Sequence, residues 1–133
     1  MLGSNDEYTL YITSSWFAYL SEGREHPKHH HTNSIVSGVY YLSTTDGDSI
    51  EFHNYINAEA HNMTLSNIIN EYNYPSCKVP VQDSALVIFP STVPHSVLPV
   101  PSRCKSDLRV SLAFNTFIKG SVGDSTSANL LTI

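Results

Sequence analysis

The sequence predicts an all-β domain of the sandwich or barrel kind, and three observations lead there. Short β-favouring stretches recur along the chain, separated by turn residues. No segment has the length and period of a long amphipathic helix. No internal repeat or low-complexity linker breaks the pattern, and 133 residues suit one domain, residues 1–133, long enough to bury a core.

Taken in order, Tyr8 to Thr13 reads as a strand and is followed by a second β-favouring stretch, Trp16 to Tyr19. Ile35 to Ser43 is a strong strand, stopped by the turn signal Thr45-Asp46-Gly47-Asp48, and Ser49 to His53 reads as its hairpin return. Leu65 to Tyr72 fits either a short helix or a strand. Ala85 to Phe89 is an apolar burst ended by Pro90, and His95 to Leu98 is a short strand. Asp107 to Phe117 is the second strong strand. In the Gly-, Ser- and Thr-rich tail, Leu130 and Leu131 are the candidate anchors.

Composition narrows the function classes. A formal net charge of −5 and the lack of any Lys/Arg block argue against a general nucleic-acid binder. No apolar run approaches a membrane span, and MLGSNDEYTL lacks the basic and apolar regions of a signal peptide. The expectation is a cytoplasmic protein, in the host cytoplasm if the chain is viral. Cys77 and Cys104 lie in no CxxC motif, and that location favours free thiols.

Four of the seven histidines fall within residues 26–31. In extended chain His29 and His31 point the same way, about 7 Å apart at Cα, and His30 points away. Two imidazoles so placed can share a metal at about 2.1 Å, although such a pair in a polar loop is commonly exposed and inert. A third ligand must come from elsewhere. His95 qualifies, because Pro90 and Pro94 bracket a rigid turn before it. Nothing in the sequence positions His26, His53 or His61.

In "DLRVSLAFNTF" the residues Arg109, Ser111, Ala113 and Asn115 share one face, and Leu108, Val110, Leu112 and Phe114 share the other. An Arg beside a Ser and a small Ala suits a carboxylate, gripped bidentately by the guanidinium with the hydroxyl adding a further bond. A solvent-exposed face is the ordinary alternative for an alternating strand. If extended structure runs unbroken from His29 to Leu42, Tyr41 shares the face of His31 and projects into the same cavity. There it serves the carboxylate or packs as a core tyrosine.

Together, "SSWFAYLSEGREHPKHHHTNSIVSGVYYL", "ALVIFPSTVPHSV" and "LRVSLAFNTFIKGSVGD" resemble the small 2-oxoglutarate- and Fe(II)-dependent oxygenase-like proteins common in marine phages and bacteria. The resemblance runs from about Thr13 to Gly123 and is weakest between residues 54 and 80. It implies a double-stranded β-helix, the cupin-like jelly roll, with iron in its mouth. The implied metal ligands are His29 and His95, with His31 where the general pattern has Asp or Glu. The implied cosubstrate residues are Arg109 and Ser111, assisted by Tyr41. The reaction implied is oxidative decarboxylation of 2-oxoglutarate to succinate, coupled to hydroxylation of an unnamed substrate.

An all-histidine triad is neutral and leaves the metal its full double charge, which bears on catalysis more than on metal binding. Asp48, Glu51 or a water could supply the remaining ligand instead, and Arg103 is a rival carboxylate anchor. A non-catalytic cupin-like metal or ligand binder and a structural jelly roll, such as a phage accessory protein, are the competing readings. The strip Leu108, Val110, Leu112 and Phe114 needs a cover: the N-terminal strands, the C-terminal tail or a second subunit, hence a homodimer.

Overall fold

The computed structural model describes residues 8–54, 74–99, 108–123, 126 and 129–133. Nine strands occur among the described residues: β1 (Tyr8–Leu20), β2 (His26–His29), β3 (Val36–Ser43), β4 (Ser49–His53), β5 (Ser76–Pro80), β6 (Leu86–Pro90), β7 (His95–Val97), β8 (Arg109–Val122) and β9 (Leu131–Thr132). No α-helix occurs among the described residues. Residues 65–72, and with them the choice between helix and strand, lie outside the described residues, as do His61, Arg103 and Cys104.

The strands form two antiparallel sheets. One has the order β1-β8-β3-β6, with β9 added to β8, and the other the order β2-β7-β4-β5. Four pairings set the plan: β1 with β8, β2 with β7, β3 with β6 and β4 with β5. A long antiparallel ribbon, rolled so that successive strand pairs alternate between sheets, gives this arrangement. It is a jelly roll, as the sequence leads one to expect.

Between the sheets the fully buried Tyr41 and Ile50 pack with Val81 and Phe89, and Val39, Phe52, Val79, Ala85 and Val87 close around them. Burying such a side chain contributes about 1.5–3 kcal/mol over leaving it exposed. Register then assigns faces. Inside, Arg109 lies across from Leu20, Ser111 from Ala18 and Tyr41, and Ala113 from Trp16 and Val39. Outside, Leu112 lies across from Phe17 and Tyr40, and Phe114 from Ser15 and Gly38.

Several expectations need correction. The two N-terminal stretches are one 13-residue strand, its register shifted between Ile12 and Ser14. Ser49–His53 is not a hairpin return, because β4 pairs with β5 and β7 in the other sheet. The turn before it is real: Asp48 Oδ2 accepts from the Thr45 N–H at 2.9 Å, and Gly47 takes a φ of 87°, which a glycine adopts at little cost. That turn carries the chain between sheets. Extended structure also does not run unbroken from His29 to Leu42. It stops at His29, and Asn33 adopts a left-handed φ of 52°, turning the chain from the smaller sheet into the larger one.

Neither intrachain cover for the outer strip acts as one. β1 lies beside β8 in the same sheet and β9 pairs along its edge, so both extend the sheet instead of covering it.

Candidate metal centre

β7 positions the first imidazole. His95 opens it, lying across from His29 on β2 and from Phe52 on β4, and a turn closed by the Val93 N–H donating to the Pro90 carbonyl (2.9 Å) precedes it. His31 lies beyond the end of β2, so its direction comes from the turn and not from strand alternation. Its N–H donates to the Ser91 carbonyl at 3.0 Å. Ser91 is fully buried and its hydroxyl is 2.7 Å from those of both Ser34 and Ser37, while the Ser37 hydroxyl donates to Asn115 Oδ1 at 2.8 Å. This chain of hydroxyls ties the His31 turn to the larger sheet.

The three rings converge. Centroids lie 4.4 Å apart for His29 and His95, 5.1 Å for His31 and His95, and 5.2 Å for His29 and His31. One ring nitrogen from each lies within 4.8 Å of the others, and the His31 and His95 Nε2 atoms are 3.3 Å apart. On two of the rings the opposite nitrogen is occupied. His29 Nδ1 is 2.8 Å from the Pro27 carbonyl and His95 Nδ1 is 3.1 Å from the Val93 carbonyl. A carbonyl only accepts, so in the neutral rings Nδ1 carries the hydrogen and Nε2 keeps its lone pair, the arrangement by which backbone carbonyls orient metal-binding imidazoles.

Burial pushes the His95 imidazole down to about 4, with the neighbouring His29, His31 and His53 adding to the effect and the Val93 carbonyl opposing it. His31 is lowered by burial and then by His29 and His30. Both rings are therefore neutral near pH 7, as a metal ligand must be.

At the larger-sheet wall of the same cavity, about 90 Å³ in volume, sit Arg109 and Tyr41. Arg109 is 2% exposed and Tyr41 has no exposure. The guanidinium carbon lies 4.9 Å from the Tyr41 ring centroid, and Nη1 donates to the Ser49 carbonyl at 3.4 Å. Burial raises the Tyr41 phenol, against the pull of the Arg109 charge, so it stays protonated. Arg109 Nε and Tyr41 Oη are buried without a hydrogen-bond partner, a condition costing about 1–3 kcal/mol per group. Both can donate, and an anion's oxygens would satisfy them. Ser111, also buried, lies across from Tyr41 in the ladder.

The histidine trio and the Arg109–Ser111–Tyr41 group thus line one cavity. His30 is exposed and outside it. Neither Asp48 nor Glu51 belongs to the close group of ligand-capable side chains, and Glu51 Oε1 instead accepts from the Ser76 hydroxyl at 2.6 Å. Of the polar and aromatic lining residues, two escape sequence reasoning. His26 joins because a register shift between His26 and His29 turns both inward, where strict alternation over three residues would oppose them. Trp16, its ring 5.8 Å from that of His31, could have been found from its alternation with Ala18 and Leu20, the inward residues of β1.

Residues 14–115 match the family described as "Putative 2OG-Fe(II) oxygenase". The chain belongs to that family. Fe(II) and 2-oxoglutarate are the cofactors that membership implies. Among solved structures, an oxidoreductase of the 2OG-Fe(II) oxygenase family from Burkholderia pseudomallei superposes with a TM-score of 0.61 at 15% identity, covering 86% of this chain and 45% of that one. The chain therefore spans less than half the length of that protein, and the likeness is one of fold. An RmlC-like cupin from Desulfovibrio desulfuricans gives a TM-score of 0.40 at 14% identity, over 86% of this chain and 92% of that one. No curated protein matches the sequence. No helix among the described residues is long and apolar enough to cross a membrane.

Proposed function

We propose that this protein is a 2-oxoglutarate- and Fe(II)-dependent dioxygenase of the hydroxylating kind, with residues 1–133 as one jelly-roll domain. The balanced reaction takes 2-oxoglutarate, dioxygen and a substrate C–H to succinate, carbon dioxide and the C–OH product. Ferrous iron, when bound, supplies the activation of dioxygen, and the chain supplies position and a dry pocket. His29, His31 and His95 are the ligands that would hold it. Arg109 grips the far carboxylate of 2-oxoglutarate bidentately, Tyr41 donates its phenol hydrogen to the same group, and Ser111 supplies a further hydroxyl. Trp16 beside His31 walls the mouth where the substrate enters.

One observation carries this reading. Three converging imidazoles, each offering a ring nitrogen, share a cavity with two buried donors that lack an acceptor. Three neutral ligands leave iron its whole double charge, which favours a dianionic cosubstrate while weakening retention of the ion relative to a site with a carboxylate ligand. Reduced iron and 2-oxoglutarate are both available in cytoplasm, which is the compartment proposed.

The missing carboxylate also supports a second reading, a metal and ligand binder without turnover. One experiment separates them: anaerobic titration with Fe(II) and then 2-oxoglutarate, followed by admission of oxygen and measurement of succinate. Stoichiometric binding of both and catalytic succinate support the dioxygenase. Binding with no succinate selects the binder, and failure to bind either sinks both.

A further inference from the structure

The outer face of the larger sheet is uncharged and mostly apolar from edge to edge. Its cross-strand rows read Tyr19, Val110 and Ser43; then Phe17, Leu112, Tyr40 and Leu86; then Ser15, Phe114, Gly38 and Ile88; then Ile12, Thr116, Val36 and Pro90. None of these residues is charged, although an outer antiparallel face normally alternates to polar residues against water. Exposure is large: 64% for Tyr19, 60% for Ile12, 59% for Ile88, 55% for Phe17 and 53% for Leu86.

A Cβ at Gly38 would meet the Phe114 ring, so that ring lies down across β3, over the one position in its row with no side chain. An uncharged sheet face suits another sheet packed about 10 Å above it.

We propose that this face is the interface of a two-fold homodimer. Three arguments select a second copy as the occupant. Among the described residues, the N- and C-terminal strands lie in the plane of the sheet and do not cover it. With no charge on the face, nothing there can select a partner by charge, whereas an apolar surface meeting itself about a two-fold axis needs no complementary partner. The half-exposed apolar side chains offer on the order of 600 Å² per copy, against the roughly 800 Å² per partner of a stable interface.

Sedimentation of the full chain from about 1 to 100 µM tests the proposal. The expected result is a concentration-dependent monomer–dimer equilibrium, and a protein that stays monomeric throughout overturns it. Phe17→Lys on β1 and Ile88→Lys on β6 should each weaken the dimer at least about tenfold, since a buried unpaired charge is costly, while metal binding persists. Either folded variant dimerising like wild type overturns the assignment of the face. Hydroxyl-radical footprinting of wild type covers variants that fail to fold. Phe17, Tyr19 and Ile88 should be protected at high concentration and Trp16, on the inner face, should not; protection confined to other residues overturns the proposal.

Discussion

The two ends of the cavity are built by different means. Arg109, Ser111 and Tyr41 stand on long strands of the larger sheet, and β8, 14 residues in length, is hydrogen-bonded on both sides. The histidines stand on strands of four and three residues and on a turn, and side contacts aim them: two ring N–H groups to carbonyls, one backbone N–H to Ser91 and a chain of hydroxyls behind it. Strand pairing fixes the anion end, while the metal end depends on individual hydrogen bonds. Mutations should therefore separate the two ends.

The sharpest separation comes from His95→Ala. Removing the buried middle ring should lower Fe(II) affinity by more than about 100-fold, beyond the 10–100-fold typical of residues behind the ligands, as read by anaerobic titration. Retained stoichiometric binding would remove the metal centre. Next, Arg109→Ala should weaken 2-oxoglutarate by about 100-fold, the scale of a charge-assisted pair, with Fe(II) binding intact. If the variant instead unfolds, Arg109 has a structural role and the anion site fails.

Acid should act on the metal end alone. In the metal-free protein His95 titrates at about 4 against 6.5 when unfolded, so on acidification the unfolded chain takes up its proton first. Stability is then full above pH 6.5 and falls between 6.5 and 4, by roughly 3 kcal/mol at most. The groups facing the ring are His29, His31 and His53, and His31, also lowered by burial, adds to the loss. Denaturant titrations of wild type and His95→Gln read this, and equal losses in both would place the acid sensitivity elsewhere.

A smaller effect is expected from Ser91→Ala, which removes the hydroxyl shared by Ser34 and Ser37. It should cost about 1 kcal/mol or somewhat more in stability and weaken Fe(II) binding about tenfold through His31, while 2-oxoglutarate binding to the metal-loaded protein holds. Equal losses at both ends would dissolve the contrast. His30→Ala should change neither.

The same contrast explains what the sequence disclosed. The Arg109–Ser111 face was legible because a long strand obeys alternation over its whole length. Tyr41 reaches the cavity although the unbroken strand invoked for it does not exist; its place comes from pairing across from Ser111. β2 was not legible, since His-Pro-Lys-His has no β-favouring character, and its Pro27 is tolerated because β2 is an edge strand. β5 was missed for like reasons: it is five residues long, ends in Pro80 and forms the other edge. His26 was hidden by a register shift that no composition signals.

The position of β8 has a consequence for how the molecule forms. It is central, held between β1 and β3, yet it is synthesised after both, so those two strands cannot complete their sheet until the ribosome has delivered residue 109 and beyond. The β8 partners lie about a hundred residues downstream of β1 and roughly seventy to eighty downstream of β3, and such distant contacts make folding slow. Until then the nascent chain carries open strand edges, the kind that pair with a neighbouring molecule. Arg109 and Ser111 are thus the last of the cavity's polar groups to arrive, and the strand that brings them also joins β1 to β3.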